Sequence, residues 1–517
     1  MPNRRSNLVG LLGTTALMVA LAPGRAAAAS CDSLSALVMA DTTIVSAGLV
    51  PAGPFIPPGA ATATPAPLNL PAFCRVVGRV APAINFEVWM PAANWNGKFQ
   101  GVGGGGYVGS ISYGAMAAAL RQGYATASTD TGHSGGDGAW ALNRPDLVVD
   151  FAHRAIHETT VRAKTIIRAF HDRDPRWSYF VGCSQGGRQG YMEAQRYPAD
   201  YDGIVAGAPA HPWTRLMVSE LWIGTAALKE PASQIPAGKY PTIHKAALAA
   251  CDRLDGVVDG LIENPQRCRF DPAALLCKGP DADTCLTAAQ VDAVKKIYAP
   301  ARNPRSGEKL FGGLPPGSEL GWPALTGSAP GRLPTEFFKH FVFNDSNWDW
   351  RTFDFDKDVA RTDAKLGALL DGAGSDLRAF RARGGKIIAY HGWNDQLVAA
   401  ENSIDYYEQA ARAAGGRPPD DFYRLFMAPG VNHCRGGSGP DTFDAMAAIE
   451  GWVERGVAPG RIVASHLTDG VVDRTRPLCP YPQVARYLGT GSIDDAANFA
   501  CAVENGESAD ASGNRRR

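Results

Sequence analysis

The chain has 517 residues, with 51 basic and 51 acidic side chains and no formal net charge. That balance excludes the basic excess of a nucleic-acid binder and the polybasic character of a membrane-surface protein, so neither partner is expected. With 45% apolar and 20% charged residues, against ~25% charged in average usage, the chain is globular rather than disordered, and its 58 glycines and 37 prolines predict many turns and long structured loops.

Residues 1–29 read as a secretory signal. Arg4 and Arg5 precede an apolar run over 8–22, and Ala26, Ala27, Ala28 and Ala29 offer small residues for cleavage. The run is short for a membrane span, and no later segment reaches the ~20 apolar residues one needs. The arginine pair also raises twin-arginine export. A lipoprotein reading through Cys31 is weaker, because Ala28 stands where leucine is usual. A secreted or periplasmic protein is expected. Its cysteines are 31, 74, 183, 251, 268, 277, 285, 434, 479 and 501. An even count in an exported chain implies disulfides, and the lack of a C-x-x-C pair argues against a thiol redox centre or zinc ribbon. Sequence does not fix connectivity. Sequential neighbours suggest Cys31–Cys74, Cys251–Cys268, Cys277–Cys285 and Cys479–Cys501, leaving Cys183 and Cys434.

Residues 82–91 alternate Ile84, Phe86, Val88 and Met90 with polar neighbours, which predicts a half-buried antiparallel strand. A short strand over 98–102 ends in the run Gly103, Gly104, Gly105, Gly106. Strands follow at 124–128, 177–182 and 203–207, with helices at 150–171 and 187–197. The alternation predicts an α/β fold with a mostly parallel sheet and helices on both faces. Between about 211 and 380 the pattern breaks into a stretch rich in Pro, Gly and Trp. It resumes with strands at 386–391, 422–427 and 462–467 and helices at 404–413 and 443–452. The expected organisation is a core over 30–212, an inserted lid domain over 213–380, a second core segment over 381–503 and a disordered tail over 504–517.

Gly182-Cys183-Ser184-Gln185-Gly186 matches G-x-S-x-G between a strand and a helix. A sharp strand-to-helix turn leaves no room beside the serine, hence the flanking glycines, and lifts Ser184 Oγ above the sheet. In a glycine-rich chain the bare pattern arises by chance, so the flanking elements carry the nucleophile reading. An oxyanion hole needs two backbone donors. Gln185, after the nucleophile, is one. The glycine run supplies the other, with Gly105 the first choice and Gly104 the second, unless the run is only a flexible turn. Within the insertion, Asp252, Asp255 and Asp259 crowd into eight residues with glycines between them. Calcium takes six to eight oxygens, including carbonyls, and Val257 and Leu261 could add theirs. The bland alternative is an acidic turn closed by a 251–268 disulfide.

A serine nucleophile needs a base and an orienting acid, in the chain order Ser, Asp or Glu, His. Asp395, just past the strand at 386–391, is the expected acid; a turn or helix-cap aspartate is the alternative. His433 follows the next strand in a glycine-rich loop and is the expected base. His391 precedes the acid and is read as a polar core residue bonded to backbone, and His133 as a shaper of the pocket. Cys183 precedes Ser184 and Cys434 follows His433. If serine and histidine meet, these two sulfurs lie within disulfide reach.

Gly-Cys-Ser-Gln-Gly-Gly at 182–187, Tyr-Pro-Ala-Asp-Tyr-Asp-Gly-Ile-Val-Ala-Gly-Ala-Pro-Ala at 197–210, the Asp395 and His433-Cys434 pieces, Thr-Asp-Thr-Gly-His at 129–133 and the aspartate loop resemble the tannase and feruloyl esterase family. The likeness runs from about 31 to 501. The resemblance implies an α/β-hydrolase core with a large inserted lid domain, a Cys-Ser/Asp/His-Cys arrangement, five disulfides paired as above, and a structural Ca2+ in the lid held by Asp252, Asp255, Val257, Asp259 and Leu261, with no organic cofactor. It implies hydrolysis of small aromatic esters: galloyl, feruloyl and other hydroxycinnamoyl esters, with mono(2-hydroxyethyl) terephthalate as an alternative substrate and a non-catalytic binding protein as a remoter one. Trp213, Trp222, Trp348 and Phe343 are candidates to stack on the acyl ring, although packing is the commoner role of such side chains.

Overall fold

The computed structural model describes residues 30–58, 67–107, 109–372 and 374–503; the expected signal and tail lie outside the described residues. Nine strands form one sheet: β1 (Thr42–Val50), β2 (Phe73–Val80), β3 (Ile84–Pro91), β4 (Lys98–Val102), β5 (Ala125–Thr129), β6 (Trp177–Cys183), β7 (Gly203–Gly207), β8 (Lys386–Gly392) and β9 (Tyr423–Ala428). Their spatial order is β1-β2-β3-β5-β4-β6-β7-β8-β9. From β1 to β5 neighbours pair antiparallel. From β5 onward every pair is parallel. The mixed α/β architecture expected from the alternation is therefore present.

Helices cover both faces, as parallel strands require. Helix α1 (Tyr113–Arg121) packs Met116 and Leu120 on Trp89 and Phe73. On the opposite face, α2 (Ala155–His171) and α3 (Gln185–Arg196) bury Ile166, Ala163, Tyr191 and Ala194 against Phe86, Val88 and Ile204. In strand β3 only Asn85 is exposed. The half-buried strand expected there is instead covered on both sides, and its polar member Glu87 is kept by Arg75 at 2.5 Å, Trp89 Nε1 at 2.8 Å and Tyr113 Oη at 2.9 Å.

The chain leaves the sheet after Gly207 and re-enters at Lys386. This insertion contains α4 (Trp213–Leu228), α5 (Tyr240–Cys251), α6 (Ala288–Tyr298) and shorter turns. It holds two apolar clusters, one aromatic around Trp213, Phe337, Phe338 and Phe341 and one around Ile243, Val294 and Trp322. Helices α7 (Glu401–Ala413) and α8 (Ala445–Arg455) complete the core.

One expected sheet strand lies elsewhere. Ile462–Thr468 pairs antiparallel with Val471–Leu478 in a separate two-stranded ribbon. The cause is the Asp469-Gly470 turn, whose φ values of 52° and 80° suit a tight two-residue hairpin. The five disulfides are Cys31–Cys74, Cys183–Cys434, Cys251–Cys268, Cys277–Cys285 and Cys479–Cys501. Among the described residues, no helix is long and apolar enough to cross a membrane.

Candidate active site

Strand β6 passes into α3 through Ser184, which sits at φ 62° and ψ −121°. A non-glycine residue there is strained by ~1–3 kcal/mol and persists only where its surroundings hold it. The holding groups are backbone. Ser184 N–H donates to Gly207 O at 2.9 Å, and Ser184 O accepts from Ala210 at 3.0 Å and Arg188 at 3.1 Å. A side chain on Gly182 would meet the carbonyl carbon of Gly186 at 2.5 Å, and one on Gly187 would meet Gly207 O at 2.5 Å. Gly187 closes the Gly-Cys-Ser-Gln-Gly-Gly stretch, and its closeness to β7 is as demanding. The first-turn amides of α3, Gln185 among them, have no intrahelical acceptor and lie at the positive end of the helix.

The glycine run is seated against this turn. Gly103 N–H donates to Val181 O at 2.9 Å, and a Cβ on Gly103 would lie 2.6 Å from Gly186 Cα. Gly104 N–H donates to Gln189 Oε1 at 3.0 Å. That leaves Gly104 committed and Gly105, beside which a Cβ would find open space, as the freer of the two expected donors. His133 supports the far end of the loop. Its Nε2–H donates to Tyr107 O at 2.8 Å, its ring stacks on Trp140 at 3.9 Å, and burial lowers its pKa, which favours the neutral form.

Asp395 lies in the turn after β8 and is wholly buried. Its Oδ1 accepts from Leu397 N–H at 2.9 Å and Val398 N–H at 2.8 Å. Its Oδ2 accepts from two rings, His433 Nδ1 at 2.7 Å and His391 Nε2 at 3.0 Å. Burial pushes this carboxyl up, but the charges and hydrogen bonds of His433 and His391 together outweigh it and hold the pKa well below the usual range. Burial likewise lowers the His433 pKa, and the attraction and hydrogen bond of Asp395 reverse the sign, leaving it raised. His391 does bond to backbone, at Val398 O (3.0 Å), and also to Ser403 Oγ through Nδ1 (2.7 Å). Its place on the acid was not foreseen, because no motif marks a second histidine on a carboxylate.

The Cys183–Cys434 disulfide, with Cα atoms 6.0 Å apart, joins the Ser184 turn to the His433 loop. Ser184 and His433 are each one residue from that bond. Of the aromatic candidates, Trp213 packs on Tyr107 at 5.6 Å beside the glycine run. Trp348 stacks on Phe343 at 5.0 Å and Trp222 meets Phe355 at 5.1 Å.

In the aspartate loop, Asp252 accepts from the amides of Asp259 and Gly260, Asp255 from Val257 and Asp259 from Leu261. Arg476, buried, bonds Asp259 from the C-terminal ribbon. Burial pushes Asp255 up to about 6, with Asp259 adding to the shift. The donor set is all oxygen, the chemistry a hard cation takes, and its carboxyl oxygens are engaged by loop amides and by Arg476.

The family described as tannase and feruloyl esterase matches residues 69–502. An uncharacterized esterase of Xanthomonas campestris pv. campestris is 41% identical, with 96% of this chain and 95% of that protein aligned. The mono(2-hydroxyethyl) terephthalate hydrolase of Piscinibacter sakaiensis is 36% identical over 86% of this chain and 87% of its own. The crystal structure of feruloyl esterase B from Aspergillus oryzae superposes with a TM-score of 0.86 at 32% identity, covering 91% of this chain and 99% of that one. The fold is thus the expected α/β-hydrolase core carrying a large insertion. From its sequence and its architecture alike, the chain belongs to the tannase and feruloyl esterase family.

Proposed function

We propose that the protein is an exported serine hydrolase that cleaves esters of aromatic acids, feruloyl or other hydroxycinnamoyl and galloyl esters, through an acyl-enzyme. The observation that carries this reading is the His433–Asp395 hydrogen bond of 2.7 Å, on a loop that a disulfide ties to the strained Ser184 turn. With Nδ1 engaged by Asp395, His433 offers Nε2 to the serine hydroxyl. His433 takes the proton as Ser184 Oγ attacks the ester carbonyl, and Asp395 stabilises the charged ring. The Gln185 and Gly105 amides hold the oxyanion. His433 then protonates the departing alcohol. Water, deprotonated by the same ring, releases the acid and restores Ser184. The insertion acts as the lid.

Asp252, Asp255 and Asp259, with the carbonyls of Val257 and Leu261, would hold calcium. The ion would supply positive charge that joins loop segments, and it takes no part in the chemistry. Five disulfides suit an oxidising compartment. The terephthalate-monoester reading rests on one relative at 36% identity and is the second choice. Rates on methyl ferulate, methyl gallate and mono(2-hydroxyethyl) terephthalate, compared on purified protein, test the proposal. Turnover highest on the phenolic esters is expected. Turnover confined to the terephthalate ester would overturn the substrate class, and no ester turnover at all would overturn the function.

A further inference from the structure

Helix α4, the first element of the insertion, carries Trp213, Met217 and Glu220 at positions i, i+4 and i+7, which share one helix face. The first two show where that face points. Trp213 packs on the Tyr107 ring at 5.6 Å, and Tyr107 Oη donates to Met217 Sδ at 3.9 Å. Tyr107 directly follows the glycine run proposed to hold the oxyanion. One turn further along the face comes Glu220, 2% exposed. Glu220 therefore continues the helix face that packs on Tyr107, the residue after the glycine run, and the Asp395 charge acts on its carboxyl.

No hydrogen bond or ion pair joins the Glu220 carboxyl to another described residue. A buried polar group left without a partner is costly and calls for an explanation. Leu216 and Leu221 of the same helix are apolar and belong to the aromatic cluster, so the Glu220 carboxyl borders an apolar, aromatic region. Its partner is then a group the protein itself does not supply.

We infer that Glu220 is a specificity-determining residue that recognises a hydroxyl substituent on the acyl ring of the ester. This deepens the ester-hydrolase reading and rests on it. A phenolic hydroxyl can both donate and accept, and a protonated carboxyl answers both. Burial pushes the Glu220 carboxyl up to about 8, with the Asp395 charge adding, so it carries a proton at neutral pH. A ring bearing a carboxylate there would bring like charge towards Asp395, so the assignment favours phenolic over terephthalate acyl groups.

The test compares kcat/KM for methyl 4-hydroxycinnamate and methyl cinnamate, two esters that differ by the hydroxyl alone, in the wild type, Glu220→Gln and Glu220→Leu. A wild-type preference for the hydroxylated ester is expected. Glu220→Leu should lower the ratio of the two values about tenfold, the worth of a ~1.4 kcal/mol hydrogen bond. Glu220→Gln, which keeps a donor and an acceptor, should keep part of the preference. Unfolding midpoints and fluorophosphonate labelling of each variant establish that the site is intact. Equal losses on both esters, an unmoved ratio, or an effect that follows a change of the alcohol instead of the ring would overturn the assignment and leave the ester-hydrolase reading standing. A wild type inert towards both esters would overturn this assignment, and one inert towards methyl gallate and mono(2-hydroxyethyl) terephthalate as well would reject the ester-hydrolase reading with it.

Discussion

Asp395 Oδ2 receives two imidazoles, and the two rings play different parts. His433 sits in the loop tied to the nucleophile turn; His391 is fully buried and anchored to Ser403. Because Asp395 favours the charged form of His433, and the base must be neutral to act, activity rises with pH through a pKa above the ordinary ~6.5. The acid limb of kcat/KM should therefore fall above pH ~6.5. Asp395→Asn should move it downward and cut kcat by ~10⁴, as in other serine triads; a pH–rate profile of both proteins checks this, and a wild-type limb below 6.5 would count against it. His391 is a positioning residue. His391→Leu should lower kcat about tenfold with little change in KM and move the limb upward, because Asp395 Oδ2 then serves His433 alone. A structural role alone would lower the unfolding midpoint and leave the limb in place.

At the scale of elements, the strand–turn–helix over 177–196 depends on close backbone approach. Gly182→Ala would drive a methyl to 2.5 Å from the Gly186 backbone, with no flexible side chain to give way. It should cost ~1–3 kcal/mol in stability, read by denaturant unfolding, and most of the activity. The G-x-S-x-G turn could be read in the sequence because sterics dictate glycine there and because an apolar strand precedes it. The placing of Asp395 and His433 was legible for a related reason: each follows a buried parallel strand, whose apolar run is conspicuous. The ribbon at 462–478 departs from the expected sheet strand because a single apolar run says nothing about its partner, and the Asp469-Gly470 turn decides it. The burial of β3 on both faces was hidden by Glu87, which looked like a solvent-facing residue until Arg75 and Tyr113 were seen to satisfy it. The bond of His391 to Asp395 is made across the turn after β8, and the place of Glu220 comes from contacts between distant segments; no local pattern encodes either.

Across the whole molecule, insertion and core are joined at several points. Arg188 of α3 is buried and donates to Leu370 O at 2.8 Å and to Ala152 O at 3.0 Å, binding the insertion to the helix that follows Ser184. The aspartate loop meets the C-terminal ribbon through Arg476 and Asp259, and Glu263, pushed up to about 8 by burial, accepts from Ala485 N–H at 2.9 Å. A cation here would brace the junction of two chain segments remote from the triad. Chelation should then lower the unfolding midpoint, with readdition of calcium restoring it, while kcat at low temperature changes little; calcium at a hundredfold excess over its Kd is worth ~2.7 kcal/mol. Asp255→Asn should remove that calcium dependence. A midpoint indifferent to chelator would reject the site.

The arrangement around one hydroxyl is tested most directly by its covalent capture. Fluorophosphonate treatment of the wild type should add one phosphonyl group, located by peptide mass at Ser184, in step with loss of ester turnover. Ser184→Ala should fold with the wild-type unfolding midpoint, take up no label and hydrolyse neither methyl ferulate nor methyl gallate. Label on another residue, or turnover retained by Ser184→Ala, would contradict the account.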